Sequence, residues 1–379
     1  MSGNEAVMGQ REDPHRSLHS ETGARPGEHP GRVRNPLVKA VRLAWLEFEK
    51  PDLTRAERFL TDFGFTVADR TPEALVLRGH WAGTPSLVVR HGAGSRFVGP
   101  AFAADARRDL ERLARATGAT VQPHRGGHAV NLVDPSGFPV RVVQGVPELP
   151  ALPERDPLPV NAGARPERVN NTQRPVRRAA QIQRLGHVVV GTTRFRAALD
   201  WYLDTLGLIV SDFLYLDGQR ERGPVMAFIR CDLGSVPSDH HTLAMALQPR
   251  TGYLHSAYQV TDLDEVAAAG EYLRERGYRH AWGIGRHIQG SQIFDYWRDP
   301  DSVMVEHYAD GDMFDNTVEV GWAPMTASGL AQWGPSVTRD FLGAKPSAHM
   351  IRDLVTALRA DDNEFDVRRL LGLLKVASS

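Results

Sequence analysis

The sequence predicts an α+β chain in two domains, each built from a pair of βαβββ modules, and three observations carry that expectation. "LAWLEFEKPDLTRAERFLTDFGF" (43–65) and "LGHVVVGTTRFRAALDWYLDTLGL" (185–208) each read as strand, short loop, amphipathic helix and glycine stop. Further on, "ADARRDLERLARATGA" parallels "TDLDEVAAAGEYLRERGY". Finally, "HAVNLVDPSGFPVRVVQG" parallels "IFDYWRDPDSVMVEHYADG", so each block closes on a hairpin across Asp-Pro. Such internal similarity marks a duplicated structural unit.

The segments follow from composition. Residues 1–36 are rich in Gly, Pro, Arg, Glu and His without an apolar period, which predicts a disordered tail with His15, His19 and His29 solvated. Residues 37–146 form the first block. Residues 147–180 carry seven prolines and read as a linker draped over a surface. Residues 181–310 form the second block, and 311–379 an extension. Within it Ile351, Leu354, Val355 and Leu358, then Val367, Leu370, Leu371 and Leu374, recur at helical spacing.

At 379 residues with 41% hydrophobic and 24% charged side chains, the chain is long enough for two or three cores. A formal charge of −1 gives no electrostatic case for nucleic acid or membrane partners. No apolar run approaches the roughly 18 residues of a membrane span. Cys231 is the only cysteine, which excludes an internal disulfide and a cysteine-based zinc site and predicts a reducing cytoplasm.

The chemistry gathers in "GRHIQGSQIFDYWRDPDSVMVEHYAD" (285–310). Alternation sets Met304, Glu306 and Tyr308 on one face of a strand and Val303, Val305 and His307 on the other. Glu306 sits among apolar neighbours, where a carboxylate needs an arginine or a metal to meet it. The same mid-strand context holds His187 in "RLGHVVVG" and His255 in "GYLHSAYQV".

The internal repeat and the hairpin ending in Val-Glu-His-Tyr resemble the vicinal oxygen chelate superfamily, and within it the two-domain type I extradiol catechol dioxygenases. The resemblance spans about residues 37–345 and is strong from about 180 to 310. It implies that the modules curl into open barrels and that only the C-terminal one keeps a metal. Implied ligands are His187, His255 and Glu306, holding Fe(II) with Mn(II) as a substitute. His241, fourteen residues before His255, takes the family's acid-base place, and His287 and Tyr296, nineteen and ten residues before Glu306, are implied hydrogen-bond donors to the substrate. His240, beside His241, is expected to face away and be structural. In the first block Trp45 stands near the place of His187 when a one-residue gap is allowed, Arg141 replaces Glu306, and the region 96–98 parallels His255 without a histidine, so no metal is expected there.

The implied reaction inserts both atoms of O2 into a substituted catechol next to the diol. A neutral, largely apolar substrate is favoured, because no carboxylate-clamping arginines are evident. A homo-oligomer is expected. The alternatives are a hydroxyphenylpyruvate dioxygenase-like enzyme of the same fold, which should lack the set His241, His287 and Tyr296, and a non-catalytic protein that binds aromatic compounds.

Overall fold

The helix Leu53–Phe63 starts where the Asp52 carboxylate accepts the Arg55 amide and stops at Gly64, where φ is 121°. Its Leu53, Ala56, Phe59, Leu60 and Phe63 form one buried stripe. The helix Phe195–Leu206 repeats the buried stripe, without a side-chain cap at its start, and ends at Gly207 in the left-handed region. The computed structural model describes residues 18–326, 330–342, 348–359 and 364–378.

Each helix belongs to a module whose strands join one sheet. In the N-terminal domain the order is Thr66–Arg70, Ala74–Arg78, Leu87–His91, Ala40–Lys50, Arg96–Ala104, Pro139–Gln144, Gly127–Val133, Gln122–His124. The C-terminal domain repeats it as Leu208–Leu216, Met226–Cys231, Leu243–Leu247, Arg184–Thr192, Gly252–Gln259, Met304–Ala309, Ile293–Arg298, Arg279–His287. In both, the two modules meet at the central antiparallel pair, Ala40–Lys50 with Arg96–Ala104 and Arg184–Thr192 with Gly252–Gln259. The duplicated unit expected from sequence is therefore present, as two mixed-sheet domains.

The extension lengthens the second sheet at both edges. Gly321–Met325 runs parallel to Leu208–Leu216, and Ala331–Trp333 pairs with Arg279–His287. Two helices follow, Ala348–Arg359 and Val367–Ser378. None of the described helices is long and apolar enough to cross a membrane.

The expectation of a disordered tail through residue 36 fails for its second part. Glu21–Thr22 pairs with Gly321–Met325, and the Val210 amide donates to the Gly31 carbonyl at 2.7 Å. Arg220 binds both Glu21 and Glu28, and His29 lies 2.9 Å from Asp200 rather than in solvent. Ion pairs and strand addition hold this segment, and neither leaves an apolar period in the sequence. Residues 1–17, with His15, lie outside the described residues. The proline-rich stretch runs without helix or named strand, fastened at Leu149 to Gly83 and by Arg155 to Glu265.

The N-terminal domain is packed directly behind the Glu306 hairpin. The Phe63 ring stacks on His307 at 3.8 Å, and the Phe63 carbonyl accepts from His307 Nε2 at 2.7 Å. Lys50 reaches from the N-terminal sheet to Asp299 and Asp301 in the turn closing that hairpin.

Candidate metal centre

Three adjacent strands bring His187, His255 and Glu306 together through one small residue. Ala257 lies opposite His187 on one side and opposite Glu306 on the other, and His255 precedes it by two on the same face. The alanine methyl leaves the space above it to the three longer side chains. His187 Nε2 and His255 Nε2 stand 3.5 and 3.4 Å from Glu306 Oε2, and a donor atom from each of the three lies within 4.8 Å of the others. Two ligands each ~2.1 Å from one ion at right angles would be ~3 Å apart, so the spacing suits a facial set.

The electrostatics ask for a cation. His187, His255 and Glu306 are 2%, 8% and 0% exposed. Both Glu306 oxygens are buried without a hydrogen-bond partner, as is His187 Nδ1. Burial pushes the Glu306 carboxyl up to about 7 and holds His187 neutral down to about 3. The imidazoles are already neutral, as ligation requires, and a carboxyl that burial keeps from ionising is one that a divalent cation would hold ionised, so the residues present fit such a cation.

The other candidates surround this centre. The His241 ring lies 4.0 Å from that of His187, and burial holds it neutral. Tyr296 is directly across from Glu306 in the strand pair. The Tyr296 hydroxyl donates to His287 Nε2 at 2.8 Å, while His287 Nδ1 donates to the Leu330 carbonyl at 2.7 Å. Trp282, Phe294 and Phe341 pack around Tyr296, with Leu330 and Val337 from the extension against the same cluster. The side chains of His255 and His287 retain 11% and 16% exposure, so the site opens on their side.

His240 departs from expectation. Residues 240–242 form a bend rather than a strand, so alternation does not apply, and His240 Nδ1 lies 3.0 Å from His241 Nδ1. Its Nε2 meets Asp212 Oδ2 at 2.7 Å. Sequence reasoning missed Asp212, although "IVSDFLYL" gives the same signal as Glu306, a carboxylate inside an apolar strand.

Register turns the N-terminal domain into a direct comparison. Trp45 and Arg141 lie opposite Ala101 as His187 and Glu306 lie opposite Ala257, so both sequence equivalences hold. The counterpart of His255 is Gly99, two before Ala101, not a residue of 96–98. A Cβ there would lie 1.9 Å from the Pro139 carbonyl oxygen, so no side chain fits. Arg141 instead binds Glu47, and its Nε donates to Asn131, the counterpart of Tyr296. Among the described residues, His187, His255 and Glu306 form the sole group of three such side chains able to share a metal.

A family profile described as the Glyoxalase/Bleomycin resistance protein/Dioxygenase superfamily matches residues 184–307, which contain all six candidate residues. Metapyrocatechase 2 of Cupriavidus necator is 32% identical over 346 residues, 87% of this chain and 98% of that protein. The chain belongs to the type I extradiol dioxygenase family. A biphenyl-2,3-diol 1,2-dioxygenase from a Pseudomonas species is 24% identical over 79% of this chain and 98% of its own length. The crystal structure of an Mn(II)-bound glyoxalase from Novosphingobium aromaticivorans shares the fold, with a TM-score of 0.66 and 21% identity over 82% of this chain and 96% of that one. This extradiol dioxygenase thus keeps its metal-binding geometry in one of its two domains.

Proposed function

We propose that the protein is an extradiol ring-cleaving catechol dioxygenase in which His187, His255 and Glu306 hold one Fe(II), with Mn(II) as a substitute. The observation that carries this reading is the convergence of both Nε2 atoms on a buried Glu306 carboxylate that, among the described residues, pairs with no arginine or lysine. When bound, the metal supplies Lewis-acid activation of the diol and open positions for diol and O2. His241, held neutral by burial, receives a catechol proton as general base and returns it as the ring opens. On substrate binding the Tyr296 hydroxyl turns from His287 Nε2, 2.8 Å away, to donate to a substrate oxygen where charge develops, and His287, anchored through Nδ1 on the Leu330 carbonyl, donates from Nε2 once it has taken up a proton. The aromatic wall of Trp282, Phe294 and Phe341 excludes water and receives an apolar substituent.

The favoured substrate is a neutral substituted catechol. The arginines close to this side of the fold are already engaged by carboxylates, Arg184 with Asp239 and both Arg279 and Arg298 with Asp340. A metal-free aromatic-binding protein would have no need of a buried Glu306 beside two histidines. The reading includes a cytoplasmic location, supported by a buried free thiol at Cys231, and a homo-oligomer, supported by exposed Val367 and Leu371 on the last helix. Anaerobic reconstitution with Fe(II), followed by a panel of catechols in 18O2, tests the function. A yellow ring-fission product carrying two labelled oxygens supports it, whereas a product with one label or none contradicts it.

A further inference from the structure

Behind His241 runs a chain of buried polar side chains that the proposed reaction leaves without a task. His241 Nδ1 is 3.0 Å from His240 Nδ1, His240 Nε2 is 2.7 Å from Asp212 Oδ2, and Asp212 Oδ1 accepts from Ser20 Oγ at 2.5 Å. Asp212, His240 and His241 are 8%, 1% and 3% exposed. Space for the carboxylate is made by Gly321, where a Cβ would lie 2.0 Å from Asp212 Oδ1. Ser20 comes from the N-terminal segment that Glu21–Thr22 fastens to the sheet edge.

The order of protons along this chain follows from donor and acceptor capacity. A carboxylate only accepts, so His240 carries its proton on Nε2. A neutral imidazole has one N–H, which leaves His240 Nδ1 as an acceptor. The proton between the two rings therefore belongs to His241 Nδ1, and His241 Nε2 is left with a lone pair. The Phe228 and Phe314 rings flank His240, and buried Arg230 donates to Ser211 beside Asp212. Among the described residues, His241 Nε2 makes no hydrogen bond, and its ring lies against His187.

On the dioxygenase reading, we infer that Asp212 and His240 are positioning residues that fix the tautomer of His241, so that its unprotonated Nε2 is presented to the catechol hydroxyl. The role parallels a carboxylate that orients a catalytic imidazole, here acting through a second imidazole. Asp212→Asn would offer an amide N–H to His240 Nε2, move the His240 proton to Nδ1, and turn His241 into its Nε2–H form.

Two readouts test this. In Zn(II)-loaded protein labelled with 15N-histidine, His241 should carry its proton on Nδ1, and Asp212→Asn should move it to Nε2. In the Fe(II) protein, Asp212→Asn should keep its iron and its KM but lose about 100-fold or more in kcat. His240→Gln, whose amide accepts from His241 and donates to Asp212, should keep most activity, whereas His240→Leu should lose it. An Nε2–H His241 in the unaltered protein, unchanged kcat in Asp212→Asn, or equal losses in His240→Gln and His240→Leu would overturn the inference. An unaltered protein that cleaves no catechol sinks the dioxygenase reading instead, while the tautomer measurement still decides the positioning role.

Discussion

Replacing Lys50 with Met removes the cation that ties the N-terminal domain to the Glu306 hairpin while keeping the length of the side chain. Lys50, Asp299 and Asp301 have side chains 3%, 4% and 11% exposed, so water cannot replace the lost charge. Asp301 keeps Arg55 as a partner. Asp299 keeps the Asp301 and Val303 amides, both at 2.8 Å, but no cation. Breaking a buried pair costs roughly 3 to 5 kcal/mol, and the retained partners set the expectation at the low end, about 3 kcal/mol. For a large domain this is a fall of roughly 6 °C in thermal midpoint. Circular dichroism melts of metal-free Lys50→Met measure it, and Lys50→Met with Asp299→Asn should recover most of the loss, because the unpaired charge is then gone. An unchanged midpoint, or a double variant no better than the single, refutes the claim that this pair holds the hairpin.

His241→Ala should retain iron and bind catechol yet turn over about 100 to 10,000 times more slowly, read as kcat beside iron content. Metal analysis should give one ion per chain, and Arg141→Glu should leave it at one, because Gly99 has no side chain to contribute. Metal uptake should release protons in a pH-dependent way. The Glu306 carboxyl of the metal-free protein is raised to about 7, so below that pH it must lose a proton to ligate, whereas His187 is already neutral there. Titration calorimetry in buffers of different ionisation enthalpy should therefore find nearly one proton released per metal at pH 6 and a value falling toward zero above pH 7.

The site was legible in sequence where strands are regular. Alternation and the Asp-Pro turn set Glu306 on its face, and the matching hairpin gave Arg141 its place. Legibility failed where chain geometry is irregular. The counterpart of His255 is a glycine with no side chain to mark its place, so the parallel fell on 96–98 rather than Gly99. The bend at His240 broke the alternation on which its expected facing rested. The N-terminal segment escaped because Arg220 holds Glu21 and Glu28 by charge, across nearly 200 residues of sequence.

The central claim is that His187, His255 and Glu306 together hold the iron on which ring cleavage depends. The most direct test is the iron content of His255→Ala after anaerobic reconstitution, measured beside the unaltered protein and His241→Ala. The account predicts one iron per chain in the latter two and a sharp loss in His255→Ala, because only two ligands remain and, among the described residues, no other side chain belongs to the metal-binding group. Full iron occupancy in His255→Ala would contradict it.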